Sequence, residues 1–256
     1  DAMTVGVPGN VPYVITVGAM TDNYTPYQSD DDLLASFSST GPTFEGFLKP
    51  EVVAPGGHVV AWMPLDGWLV EQHPEGLLEG SRVFRMSGTS QAAAVVSGVV
   101  ALMLDADPTL SPDDVKCRLL ASARPALGAD GSPAYSIFQQ GAGLVDAAAA
   151  VAETATGCAN GGLDIDLDLA GEQHYGGPAN QDEDGNFYVM DPDNEGAPLA
   201  DDGYVWDQSY ETDGYVWSQG YVWSQGYVWS QGYVWSQGYV WSQGYVWSQG
   251  YLWSQS

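Results

Sequence analysis

The last 42 residues of the chain repeat one hexapeptide. YVWSQG occurs six times between Tyr215 and Gly250 and YLWSQS closes the sequence, so seven hexads run in unbroken phase. A degenerate copy, YVWDQSYETDG, precedes them at 204–214. Tyr, Val and Trp favour strands. Because the repeat is even in length, alternation sends Tyr, Trp and Gln of every hexad to one face and Val, Ser and Gly to the other. The first face is broad and aromatic, and the second is thin enough for close approach. Gly at every sixth place permits a bend between short strands. Seven of the ten tryptophans lie in these hexads. Fully solvated, such a stripe exceeds the roughly few hundred Å² of contiguous apolar surface a soluble monomer tolerates. Three arrangements satisfy the repeat: a β-solenoid, strands added to the body's sheet or to other copies to give a fibre, and a low-complexity segment with aromatic contact points. Rows of Trp and Tyr also suit stacking on sugar rings, so a glycan-binding role stays open beside self-association through 204–256.

Charge separates the rest of the chain from the tail. The 256 residues carry 33 acidic and 6 basic side chains, a net charge of -27, and all six basic residues fall in the first 124 positions. Phosphate backbones and anionic lipid repel such a chain, so nucleic-acid and membrane-surface binding are excluded, while divalent cations and cationic partners fit. No apolar run reaches membrane-spanning length; Ala92–Leu104 is interrupted by Ser97 and Gly98. The first residues, DAMTVGVPGN, lack the basic flank and apolar stretch of a signal peptide. Their start without Met suggests a mature or cut product.

Three zones follow: a mixed body at 1–157, an acidic Gly/Asn/Asp-rich linker or extension at 158–203, and the repeat at 204–256. In the body, PYVITVGAM (12–20) reads as a buried strand, LASFSSTGP (34–42) as a short strand into a Gly-Pro turn, and 50–63 as two short strands around Pro55-Gly56-Gly57. The segment from Gly88 reads as a central helix, apolar nearly all round and buried on most sides, ending before Pro108. Ser111 caps a second helix with Pro112 at its first position, and 143–155 reads as a third. Strands interspersed with helices argue an α/β layered domain.

Candidate chemistry centres on Ser87-Gly88-Thr89-Ser90. A serine in the first turn of a helix lies near unpaired N–H groups, which favour developing negative charge on a substrate, although a plain capping role fits the same residues. Asp164, Asp166 and Asp168 alternate in LDIDLDL. On a strand they share one face, where they would hold a structural Ca²⁺ or simply be solvated. DEDGN (182–186) has part of a calcium loop without its full spacing. Cys117 and Cys158 allow a single disulfide, and paired and unpaired states are both open; an extracellular setting favours the pair.

SGTSQAAAVVSGVVALML resembles the nucleophile segment of subtilisin-like serine proteases (subtilases, peptidase S8), matching at Gly88, Thr89, Ser90, Ala92 and Gly98. Gln91 replaces the usual Met, and Ala94-Val95 the usual Pro-His. VPGNVPYVITVGAM (7–20) is similar to the family's core strand. LLASFSSTGPTFEGFLKPEVVAPGG (33–57) resembles its Phe-Ser-Ser-x-Gly-Pro and Lys-Pro-(Asp/Glu)-Val-x-Ala-Pro-Gly signatures, and QGAGLVDAAAAV (140–151) its closing helix. The resemblance implies the C-terminal part of a parallel-sheet α/β domain with a buried central helix, peptide hydrolysis with Ser90 as nucleophile, and Gly88 and Thr89 supporting the oxyanion site. The family's Asp and His precede the serine, each in its own motif. None of His58, His73 or His174 sits in such a motif. The resemblance therefore implies a partner, an N-terminal fragment of the same precursor carrying both residues, without which the isolated chain is inactive. It also implies a secreted or surface location and no cofactor beyond structural Ca²⁺. A structural or glycan-binding protein on a protease-derived body is the alternative.

Overall fold

A computed structural model of the chain describes residues 2–25, 31–128, 131–190 and 198, together with the backbones of five short strands between 221 and 248. The body opens with β1 (Val17–Thr21), β2 (Leu33–Leu34) and β3 (Val52–Pro55). They form one sheet in the order β2-β1-β3, with β1 and β3 parallel in the register Val17↔Val52 to Met20↔Pro55. A hairpin follows, β4 (Val59–Trp62) against β5 (Val83–Met86), spanned by the short helix α1 (Trp68–Gln72). Helix α2 (Thr89–Ala106) then lies on β1 and β3, packing Ala92, Val96, Val99 and Met103 onto Ala19, Val52 and Ala54. α3 (Pro112–Ser122), α4 (Ile137–Gln140) and α5 (Ala147–Ala152) complete the layer.

α3 begins where local chemistry dictates. Ser111 Oγ accepts the Asp114 N–H at 3.1 Å while Asp114 Oδ2 accepts the Ser111 N–H at 3.1 Å, a reciprocal capping box. The third helix is shorter than the sequence pattern, because Asp146 caps it at Ala147 and Glu153 ends it.

α2 departs from the expected burial. Only Ala92, Val96, Val99 and Met103 of its 18 residues are buried. The opposite side, with Ala93, Ala94, Ser97, Gly98 and Ala101, is exposed, and Leu102 is 55% accessible. A helix that reads as apolar on nearly every side therefore has one covered stripe. β1, β3 and α5 supply that cover, and no described residue packs on the other side.

Immediately before β3 the chain carries a buried cluster of ionic groups. Glu51 Oε1 meets Lys49 Nζ at 2.5 Å and Lys116 Nζ at 2.8 Å, with all three side chains no more than 2% exposed. Glu51 Oε2 accepts the Thr16 N–H at 2.7 Å. Lys49 Nζ donates to the Val14 carbonyl, and Lys116 Nζ to the Pro12 carbonyl and Asn160 Oδ1. Burial brings the Lys49 ammonium down to about 8, against the attraction of Glu51.

Residues 158–190 pack on the same core. Cys117 of α3 is disulfide-bonded to Cys158, with Cα atoms 5.2 Å apart, and Cys158, Ala159, Ala179 and Val189 are buried. Helix α6 (Ile165–Leu169), strand β6 (His174–Gly176) and the hairpin β7 (Ala179–Gln181)–β8 (Phe187–Val189) follow. In the tail, β9 (Tyr221–Gln225) pairs antiparallel with β6. β11 (Val234–Gln237) lies parallel between β9 and β13 (Val246–Ser248), and β10 (Val228–Ser230) parallel to β12 (Val240–Ser242). Every parallel pair joins strands two hexads apart: Trp223↔Trp235, Val234↔Val246, Val228↔Val240. The degenerate copy at 204–214, the side-chain faces of the hexads and the glycines expected at their bends lie outside the described residues.

The ionic cluster yields a signed prediction. Glu51→Gln strands two buried ammonium groups and should cost about 3–5 kcal/mol, whereas Lys49→Met leaves Lys116 facing Glu51 one to one and should cost far less. Lys49 titrates near 8 in the fold against an ordinary 10.5, so the unfolded chain binds more protons between those pH values. Stability of the parent chain should therefore rise across that window, and Lys49→Met should abolish the rise. Urea denaturation at pH 7, 8 and 10 measures both effects.

Candidate active site

β5 runs directly into Ser87-Gly88-Thr89-Ser90, and Thr89 is the first residue of α2. The approach is held from the β3 side. The Gly88 N–H donates to the Gly56 carbonyl at 2.8 Å, and the Ser87 Oγ accepts the His58 N–H at 2.9 Å. Gly56 leaves no room for anything larger, since a Cβ there would lie 2.6 Å from Ala19 Cβ and 2.9 Å from the Gly88 carbonyl oxygen. The Pro-Gly-Gly turn after β3 and the serine loop before α2 are thus one unit. Gly88 is extended, at φ 162°, and its carbonyl accepts the Gln91 N–H at 3.1 Å. Ser90 occupies the first turn, exposed, where helix N–H groups have no intrahelical acceptor.

No described side chain hydrogen-bonds Ser90. The three histidines stand elsewhere. His58 stacks on Tyr24 with ring centroids 3.7 Å apart, and its Nδ1 is 3.4 Å from Thr21 Oγ1. His73 pairs with Glu75 on the surface. His174 Nδ1 lies 2.6 Å from Asp168 Oδ1, and Tyr13 OH donates to Asp168 Oδ2 at 2.9 Å. Burial and that bond to Asp168 push the Tyr13 phenol well above its usual range. The Asp–His contact is tied to Tyr13 rather than to Ser90.

The aspartate row corrects the strand reading. Ile165–Leu169 is a helical turn, and Asp164 is its cap, accepting the Asp166 and Leu167 N–H groups at 3.0 and 3.1 Å. Helical geometry turns Asp166 away from Asp164 and Asp168, which stand four residues apart on one side of the turn, so the three do not share one face. Asp182 is used inside the β7–β8 turn, where its carboxylate accepts from the Asn186 side chain and the Asn186 and Asp184 N–H groups; these bonds hold it below the usual carboxylate range. Among the described residues, no three His, Cys, Asp or Glu side chains converge on a metal position.

No sequence pattern singles out Arg85. Its guanidinium carbon lies 5.8 Å from the Tyr24 ring centroid, which joins Tyr24, His58 and Arg85 in one stack beside the serine loop. The only signal for it was position, two residues before Ser87 on a strand.

A family model described as the subtilase family, peptidase S8, matches residues 1–143. The chain belongs to that family. It is 43% identical over 116 residues to "Serine protease AprX" of Bacillus subtilis (strain 168), covering 45% of this chain and 26% of that protein. It is 33% identical over 126 residues to "Subtilisin-like protease SBT1.3" of Arabidopsis thaliana, covering 44% and 16%. Among solved structures it resembles fervidolysin from Fervidobacterium pennivorans, a keratinolytic enzyme related to subtilisin, at TM-score 0.45 and 28% identity, over 58% of this chain and 20% of that one. The chain thus spans about a quarter or less of the length of these two curated relatives.

Two glycines test the geometry with opposite signs. Gly56→Ala overpacks the junction of turn and serine loop and should destabilise by about 1–3 kcal/mol. A Cβ at Gly98 meets nothing within 4 Å. Gly98→Ala in the helix interior should therefore stabilise the lone chain by about 0.5–1 kcal/mol. Paired thermal melts decide, and equal effects would contradict the packing described.

Proposed function

We propose that this chain is the nucleophile-bearing part of a subtilisin-like serine endopeptidase and acts with a preceding segment of the same precursor that brings the catalytic Asp and His. The observation that carries the reading is the pairing of Ser90, exposed in the first turn of α2, with a bare small-residue side of that helix. Ala93, Ala94, Ser97, Gly98 and Ala101 admit close approach of another element, and an apolar helix side of this size calls for cover in a folded protein.

In the assembled enzyme Ser90 Oγ attacks the peptide carbonyl while the partner's histidine takes its proton. The Ser90 N–H, free at the helix start, helps hold the oxyanion. The amine leaves with that proton, and water then hydrolyses the acyl-serine to release the acid and restore the hydroxyl. Ser90 without a base is a weak nucleophile, so the isolated chain is inactive in this account. Exported proteins keep disulfides, and the Cys117–Cys158 bond fits a secreted or surface location.

Co-expression of the chain with its upstream segment should restore hydrolysis of a casein or peptide substrate that the lone chain does not cleave. S90A should reduce turnover at least ~10⁴-fold. G98L should be tolerated by the lone chain yet block restoration, because its side chain would occupy the docking side of α2. Full activity of G98L in the pair would contradict this docking.

A second role, in assembly, is favoured by the tail's register. Because parallel partners lie two hexads apart, successive hexads alternate between two sheets, and we infer a flattened coil of two hexads per turn whose first strand is seated on β6. Nitroxide labels at S224C and S236C, register partners, should then show strong dipolar broadening from backbones ~5 Å apart. Labels at S224C and S230C, on different sheets, should sit roughly 10 Å apart and broaden less. Equal or absent broadening in both pairs, after dilution with unlabelled protein, would rule the coil out.

A further inference from the structure

The six basic side chains do not share one fate. Lys49 and Lys116 converge on buried Glu51, Arg118 reaches Asp107 at 3.5 Å and Arg124 reaches Asp146 at 3.3 Å. Arg82 and Arg85 form no ion pair with any described carboxylate. Of these two only Arg85 is held in place, by the Tyr24 ring at 5.8 Å, and Tyr24 rests on His58 in turn.

The stack adjoins the serine loop. Alternation along β5 buries Phe84 and sends Arg85 to the side of Ser87. Ser87 Oγ accepts the His58 N–H, and the same turn receives the Gly88 N–H at Gly56. Tyr24, His58 and Arg85 therefore form a wall that the backbone N–H of His58 ties to Ser87, in the loop that presents Ser90.

Building on the endopeptidase reading, we propose that this wall is a substrate subsite in which Arg85 binds the carboxylate of an Asp or Glu side chain close to the scissile bond. A guanidinium over an aromatic ring spends its face on the π contact and keeps its rim of N–H donors free, and that rim matches a carboxylate through two parallel hydrogen bonds. A chain of net charge -27 repels anionic peptides at long range. Selection of an acidic side chain therefore has to come from a fixed local cation, and Arg85 is the one so fixed among the described residues. His58 and Tyr24 act as positioning residues that hold the guanidinium in its orientation.

The test uses the chain paired with its upstream segment and peptides that carry Glu or Gln at each position flanking the cleavage site. At one position the Glu/Gln ratio of kcat/KM should exceed one. R85Q should lower that ratio about 10-fold, R85K should keep part of it, and Y24L, which releases the guanidinium, should weaken it too. The ratio should fall with added NaCl in the parent and not in R85Q. In parallel, fluorescein-labelled Glu and Gln peptides are titrated onto the S90A pair by anisotropy, which needs no turnover. A Glu preference in binding that depends on Arg85, without hydrolysis by any variant, would refute the endopeptidase reading and leave the subsite standing. A ratio that R85Q changes at no position, in turnover or in binding, would overturn the subsite.

Discussion

The carboxylate of Glu51 holds the body together. It lies between two lysine ammonium groups in a region from which water is excluded; Lys49 is its near neighbour, while the bonds to Lys116 and to the Thr16 N–H each reach a distant stretch of chain. Thr16 N–H and the Val14 carbonyl fix the approach to β1, and the Pro12 carbonyl and Asn160 bring in the first turns and the segment after the disulfide. Asn160 passes the chain on to Asp113 at the start of α3, at 2.6 Å. Charges in such a place are tolerated only when fully paired and hydrogen-bonded, which makes their geometry restrictive. Because Glu51 immediately precedes β3, the cluster sets where β3 lies against β1 and where the Pro-Gly-Gly turn emerges.

From that turn the geometry passes to the serine. Gly56 and Gly88 meet backbone to backbone, and α2 starts on the line that β1 and β3 define. The same helix is left half bare. A packed side and an open side on one apolar helix follow from the elements that surround it in this chain.

Local features were legible in the sequence and tertiary ones were not. Ser111-Pro112-Asp113-Asp114 announced α3 because a cap is settled by neighbours three residues apart. The two strands around Pro55-Gly56-Gly57, the serine loop and the α2 boundary before Pro108 were legible for similar reasons, whereas only Val17–Met20 of the strand expected over 12–20, and only Leu34 of the one expected over 34–42, lie in strands. LDIDLDL misled because strict alternation also suits a strand, whereas the short Asp164 side chain captures two backbone N–H groups and starts a helical turn. Apolar composition alone could not say which side of α2 is covered. The Tyr24–His58–Arg85 stack joins three stretches far apart in sequence, so no periodicity marks it. The tail's period was plain from the repeat; its pairing two hexads apart was not, since identical hexads satisfy several registers equally.

The central claim is that Ser90 is a nucleophile waiting for its base, and labelling with a serine-directed fluorophosphonate tests it most directly. Peptide mapping after exposure of the lone chain, and of the chain paired with its upstream segment, should find the adduct on Ser90 only in the pair. Rapid, saturating labelling of Ser90 in the lone chain would contradict the account.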